Sequence, residues 1–316
     1  MVRHSRLARM QQGLTWGLVS VVLGWAVVAG ALGRPAWMPL GAVIVVAGYG
    51  VLMALEFVLV ACLHGPDPAP RATAVQLLRA WWGEVRTAPL VFGWYQPFRW
   101  HVVPDRLEGA SGRRGVVLVH GFVCNRGLWT AWLRELSRQG HAFVAVNLEP
   151  VFGSIDEYVE LIEAAVARLE SATGLPPVLV CHSMGGLAVR AWLARRKALW
   201  RVHRVITIGT PHHGTWLGRW GLSTNARQMR LDSAWLKALA QQETPATYQR
   251  FTCFYGHADN IVFPASTATL EGADNRHLQA MAHVHMVFHP AVWQETMRWL
   301  SVEHEDDDAS PPALQG

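Results

Sequence analysis

Four short runs along the middle of the chain are apolar almost throughout: Val116–Val119, Phe143–Val146, Val178–Cys181 and Val205–Ile208, the last interrupted only by Thr207. Continuous apolar runs of this length suit strands covered on both faces, as in a parallel sheet. Segments of helical period lie between them. Leu128–Arg138 ends at Gly140, a natural stop. Ser154-Ile155-Asp156-Glu157 is a capping box that opens a helix to about Ser171. Ile155, Tyr158, Ile162, Ala165, Val166 and Leu169 give that helix one apolar stripe. Leu187, Ala191, Ala194 and Ala198 form another, with Arg195, Arg196 and Lys197 near its C-terminus, where cations are favoured. Phe251–Tyr255 reads as a further strand. Strands alternating with helices predict a doubly wound, mostly parallel α/β sheet, with the domain over residues 101–302.

The interval from Gly209 to Phe251 is too long for a structureless loop in a compact domain. Within it, Trp216–Gln242 carries a helix that starts at Asp232 or Ser233 and runs through Leu239. We expect a small helical cap over about residues 211–249. Trp216, Trp220 and Trp235 either line an acyl pocket or pack the cap on the core; Trp216 and Trp220 are the pocket candidates.

The N-terminal third has another pattern. Met10–Gly33 holds no charged residue, and Ala36–Leu63 is broken only by Glu56. About 20 apolar residues span a bilayer, so two transmembrane helices are expected, about 12–33 and 38–62, within a membrane anchor of residues 1–70. Gly24, Gly30, Gly41, Gly48 and Gly50 would let the pair approach closely. Glu56, near one end of the second span, is expected to snorkel to the interface. Residues 71–100 form a juxtamembrane linker in which Thr73–Arg86 is amphipathic, lying either in the interface or on the domain. Arg3, Arg6 and Arg9 precede the first span, Arg34 alone lies between the two, and Arg71, Arg79 and Arg86 follow. That asymmetry places both ends and the globular domain in the cytoplasm, at a bacterial-type inner membrane. Residues 303–316 are acidic and proline-bearing, an expected disordered tail.

Charge and cysteine content add little. The formal net charge of +5 is assigned to membrane contact, since no nucleic-acid motif appears. Four cysteines, one in an apolar span and one on a strand, outline no disulfide framework. His212 and His213 are adjacent, with no carboxylate or cysteine at ligand spacing, so neither a metal nor another cofactor is expected.

The chemistry centres on His182-Ser183-Met184-Gly185, which joins the run Pro177–Cys181 to a helix-like stretch. Strand, tight turn with serine at its tip, then helix is the layout of a nucleophile elbow. A serine hydroxyl needs exposure, a base and oxyanion donors, and a sharp turn aims a helix N-terminus at the developing charge. The common pentapeptide is G-x-S-x-G; here Cys181 stands for the first glycine. Upstream, Gly115–Phe122 ends in His-Gly-Phe. Downstream come Gly209–Thr215 (GTPHHGT), Asp259 after the Phe251 strand, and His283 in Ala282–Pro290. Taken in order, these segments resemble the α/β-hydrolase superfamily, in particular its bacterial lipase and esterase branch.

The resemblance covers roughly residues 90–300 and implies an α/β-hydrolase fold. It implies Ser183 as nucleophile, Asp259 as acid and His283 as base, with backbone N–H groups of Phe122 and Met184 as the oxyanion hole. Asp274 is the substitute acid, in a loop or helix cap, while His285 and His289 compete with His283. The function this implies is a membrane-anchored serine esterase or lipase acting on apolar or lipid-like esters. Thioesterase, amidase or acyltransferase activity would use the same triad, and a non-catalytic membrane scaffold is the rival class. Oligomeric state is not legible. If the anchor only delivers the enzyme to substrate, removing residues 1–70 should leave turnover of a short soluble ester nearly unchanged.

Overall fold

A computed structural model of the chain describes residues 5–301. Its centre is a six-stranded sheet built from β1 (Val116–Val119), β2 (Phe143–Ala145), β3 (Val178–His182), β4 (Arg204–Ile208), β5 (Phe251–Gly256) and β6 (Asp274–Leu278). The spatial order is β2-β1-β3-β4-β5-β6, and every pairing is parallel. Val117 faces Val144 on one side and Leu179 on the other; Cys181 faces Val119 and Thr207. The chain therefore starts inside the sheet, steps out to β2, and returns past β1 to continue the other way. Such a reversal opens a crevice at the C-terminal ends of β1 and β3, where ligands bind in open α/β sheets.

Both faces of the sheet are covered, which is why its inner strands read as nearly continuous apolar runs. Val117, Val119, Leu179 and Cys181 point into one core with α5 (Val159–Thr173), α6 (Met184–Arg196) and Met229, Leu236 and Leu239 from the segment between β4 and β5. Val116, Leu118, Val178 and Val180 point into the other, with α4 (Thr130–Arg138) and α10 (Pro290–Ser301). The Ser154 box forms: Ser154 N–H donates to Glu157 Oε1 at 2.7 Å, and a 3₁₀ turn leads into α5. Two sequence expectations need correction. α6 has no single stripe, because every residue from 184 to 193 is buried; it runs through the core behind the elbow. Asp274 is in neither a loop nor a cap. It opens β6, an edge strand too polar to announce itself, and pairs with Arg276 at 2.7 Å.

The segment between β4 and β5 folds into three short helices, α7 (Thr224–Gln228), α8 (Ala234–Ala240) and α9 (Pro245–Gln249). Ser233 caps α8 by accepting from Leu236 N–H at 3.2 Å.

At the N-terminus, α1 (Arg6–Ala31) and α2 (Leu40–Cys62) are long and apolar enough to cross a membrane by length and composition. Their most apolar windows are only 6% and 11% buried, so they are not core helices. Of the glycines expected between them, Gly41 alone is in tight contact, under Trp25; Gly24, Gly30 and Gly48 face open space. The first turns of α1 instead dock on the globular part. Gln11 Nε2 donates to Gln96 Oε1 at 2.8 Å in a buried contact, and Gln12 Nε2 to Pro97 O at 2.7 Å. α3 (Ala74–Leu90) has its N-terminus capped by Thr73 and Gln76. One face of this helix packs on the domain, with Ala80, Glu84 and Ala88 buried, while Val75, Leu78 and Trp82 remain exposed. A π-helical turn, Val91–Arg99, then presses against the loop at Gly127.

Candidate active site

Ser183 sits between β3 and α6 with φ 53° and ψ −129°, backbone angles unfavourable to any residue with a side chain. Such a conformation costs about 1–3 kcal/mol and persists only where its surroundings impose it. Here Ser183 N–H donates to Ile208 O at 2.9 Å, and Thr210 Oγ1 donates to Ser183 O at 2.8 Å. Close packing does the rest. A Cβ on Gly121 would lie 2.7 Å from Ser183 Cβ, and one on Gly185 would lie 2.6 Å from His120 O. Gly185 and Gly186 therefore let α6 start directly behind the turn.

Asp259 follows β5 in a turn that its own side chain organises. Its Oδ1 accepts from Ile261 and Val262 N–H, each at 2.8 Å, leaving Oδ2 for His283 Nδ1 at 2.9 Å. The acceptor at Nδ1 assigns the proton there and leaves Nε2 free to take one. His283 N–H donates to Asn260 Oδ1 at 3.1 Å. The His283 ring packs on His182, the residue before Ser183, with ring centroids 4.6 Å apart. Gly209, at φ +56°, closes over the pair; a Cβ there would approach Asp259 Oδ2 to 2.9 Å and His283 Nδ1 to 3.0 Å. Burial alone would push the His283 imidazole down. Asp259 in contact, with Glu84 and Glu56 beyond it, more than reverses this and holds it above its ordinary value. Ser183, Asp259 and His283 are all buried, with Ser183 6% exposed.

The competitors lie elsewhere. Asp274 is tied to Arg276 on the edge strand. His285 packs its ring on Gly83 of α3, and His289 Nδ1 accepts from Ala291 N–H at the start of α10. His212 is a buried structural group beside Thr207, its carbonyl held by Arg190 NH1 at 2.9 Å. Arg190 in turn forms a buried ion pair with Glu243 at 2.5 Å.

The loop after β1 is fixed by His120. Its Nε2 accepts from Leu148 N–H at 3.0 Å, so its Nδ1–H donates to Gly121 O at 2.9 Å. Burial pushes this imidazole down to about 4, which keeps it neutral. The Phe122 ring meets Phe152 edge-on at 5.9 Å, and the next residue, Val123, has φ 52°, a strained value for a β-branched side chain. Across the switch point Met184 is the first residue of α6, so its N–H has no partner four residues back. Among the tryptophans, Trp216 stacks on Phe263 at 6.0 Å and Trp220 is 70% exposed. Trp235 donates to Asp156 Oδ2 at 2.9 Å, a packing role. A cavity of about 790 Å³ lies at the β2 edge, between Arg9, Asp105, Arg126 and Arg168, and touches none of the candidate triad. All four cysteines are free.

Sequence reasoning passed over His120, Thr210 and Asn260. His120 and Thr210 sit inside motifs already singled out, and Asn260 adjoins Asp259. Their signal was positional, and their partners are distant in sequence.

The profile of the alpha/beta hydrolase family matches residues 116–316. The chain belongs to this family. Among solved structures the hydrolase is similar to the Bacillus licheniformis lipase BlEst2 in its mature form, at 18% identity and TM-score 0.53, over 63% of this chain and 94% of that one. The propeptide form of that lipase superposes with TM-score 0.52 at 18% identity, over 64% and 52% of the two chains. Aspergillus fumigatus lipase B follows at 18% identity and TM-score 0.49, over 58% and 51%. At such identities the BlEst2 likeness speaks for the fold alone. A search of curated protein sequences gives no match.

Proposed function

We propose that the hydrolase is a membrane-anchored serine esterase or lipase, acting on carboxylic esters of apolar or lipid-like character. One observation carries this: an elbow serine at the topological switch point, with a buried Asp259–His283 pair packed on the residue beside it. In this reading Ser183 Oγ attacks the ester carbonyl while His283 Nε2 takes its proton. The tetrahedral oxyanion is received by Phe122 and Met184 N–H. Collapse expels the alkoxide, which takes the proton from His283 and leaves as the alcohol. Water, deprotonated by the same imidazole, then releases the acid from the acyl-enzyme. Asp259 holds the imidazole in its Nδ1–H form and stabilises its cation.

The case for the membrane is independent. α1 and α2 expose Leu14, Trp16, Val27, Ile44, Val46 and Leu52 on surfaces that water would not favour. The start of α1 docks on the globular part, and the end of α2 returns to it through Glu56 and Phe57, so a hairpin of two spans fits the contacts. The arginine asymmetry then favours a cytoplasmic domain. Alkaline phosphatase fused after residue 100 should be inactive in a bacterial host, and active when fused near Trp37. The reaction class is tested by wild type and Ser183→Ala against p-nitrophenyl esters, acyl thioesters and phospholipids. Turnover of esters that disappears in Ser183→Ala is the expected result. A folded wild type that neither turns over any ester nor takes a fluorophosphonate probe would leave a scaffold as the better reading.

A further inference from the structure

Two acidic side chains from the N-terminal helices reach the loop that carries His283, and the mechanism above uses neither. Glu84, on α3, is 2% exposed and lies 201 residues before its partner His285. Its Oε1 accepts from Val284 N–H at 3.1 Å and its Oε2 from His285 N–H at 2.9 Å. Glu56, on α2, accepts from Asn260 Nδ2 at 2.6 Å, and Asn260 Oδ1 holds His283 N–H at 3.1 Å. Three consecutive backbone N–H groups, those of His283, Val284 and His285, are thus held by side chains. Two are held directly by α3 and the third through one asparagine by α2.

Packing follows the same route. Phe57 of α2 and Ala80 of α3 form a small buried cluster with Ala258 and Ala282, the residues immediately before Asp259 and His283. Gly83 of α3 lies so close to the loop that a Cβ there would fall on the His285 ring. Burial pushes the Glu84 carboxyl up to about 7 in spite of its two donors. An apolar side chain would avoid that cost but would leave two buried N–H groups without acceptors.

We propose that α2 and α3 form part of the catalytic unit, with Glu84, Glu56 and Asn260 acting as positioning residues that set where His283 stands. This rests on the serine-hydrolase reading above. The physical reason is reach. The His283 loop leaves the sheet after an edge strand, with no neighbouring strand beyond it, so its backbone donors must be met by side chains from outside the sheet. A base displaced by about 1 Å loses on the order of a hundredfold in rate. The anchor then does more than deliver the enzyme to a bilayer. Against the expectation from sequence, loss of residues 1–70 removes Glu56 and should slow even a short soluble ester.

The test uses the full chain in phospholipid vesicles, with the rate of fluorophosphonate labelling at Ser183 as readout. Labelling reports the Ser183–His283 chemistry without a natural substrate, and is normalised to folded protein well below each melting midpoint. Glu84→Ala should label about 10- to 100-fold more slowly, with kcat for p-nitrophenyl butyrate falling and KM little changed. Glu56→Leu should fall about tenfold, whereas Glu56→Gln, which keeps an acceptor for Asn260, should stay near wild type. Leu78→Ala, on the exposed side of α3, is the control and should be unchanged. Should Glu84→Ala fail to fold, Glu84→Gln, which keeps one acceptor oxygen, and Glu56→Leu decide the matter. Wild-type labelling rates in folded Glu84→Gln and Glu56→Leu would overturn the proposal. A wild type that does not label would instead overturn the serine-hydrolase reading on which it rests.

Discussion

Asp259→Asn separates the two jobs of this carboxylate. The Asn side-chain oxygen can take over from Oδ1, accepting Ile261 and Val262 N–H at the 2.8 Å positions, so the turn after β5 should survive. The amide nitrogen would then face His283 Nδ1, where Oδ2 now sits at 2.9 Å. Two donors cannot share that contact. The imidazole should move its proton to Nε2, turning a donor rather than an acceptor towards Ser183. The corresponding change in a Ser-His-Asp protease lowers kcat by about 10⁴-fold, equivalent to about 5.5 kcal/mol of barrier. The pH profile carries a second signature. With His283 as the proposed base, the free-enzyme acid limb of kcat/KM in wild type should follow His283, which must be neutral to accept a proton. Asp259 helps hold that imidazole above its ordinary value, so its loss should shift the limb to lower pH, with the residual rate saturating earlier. The assay is kcat/KM for p-nitrophenyl butyrate from pH 5 to 9, with a thermal melt as the fold check. A folded Asp259→Asn within about tenfold of wild type, with Asp274→Asn strongly impaired, would refute the assignment.

Three further outcomes follow from the same geometry. Gly185→Ala places a methyl 2.6 Å from His120 O, so it should destabilise the protein by about 1–3 kcal/mol, read as a lowered melting midpoint, and slow fluorophosphonate labelling by distorting the elbow. Arg190→Met leaves buried Glu243 unpaired and should cost about 3–5 kcal/mol, while the double change Arg190→Met/Glu243→Leu should recover much of it in chemical denaturation. Glu84 is raised by burial to about 7, so the stability it contributes is present below its unfolded value near 4.5 and is lost as pH rises through 7. The stability of Glu84→Gln relative to wild type should therefore improve by up to about 3 kcal/mol between pH 4.5 and 8, and a pH-independent difference would count against a buried, titrating Glu84.

Much of the fold was legible because parallel strands buried on both faces leave nearly continuous apolar runs, interrupted here only by Thr207 and Thr252, and each of the five such runs became a strand. Caps were legible for a similar reason, since they act within a few residues of themselves: Ser154 with Glu157 was read outright, and the α8 cap was narrowed to Asp232 or Ser233, of which Ser233 serves. The elbow was read from a strand, a serine, two glycines and a helix in immediate succession. β6 was not legible. Its residues Asp274–Leu278 carry no apolar run, and as an edge strand it is paired on one side only. The all-round burial of α6 escaped the periodicity as well, because small residues such as Gly185, Gly186, Ala188 and Ala191 are compatible with a core or a surface. Spacing could rank His283 above His285 and His289, but only the fold puts Asp259 against one ring, Gly83 against the second and the start of α10 against the third. Glu56 shows the limit most clearly. Within its own helix it reads as a charge snorkelling out of an apolar segment; its partner Asn260 lies 204 residues away. Local pattern reports which face a residue turns to the core, whereas a contact across such a separation exists only once the sheet has brought the ends of its strands together.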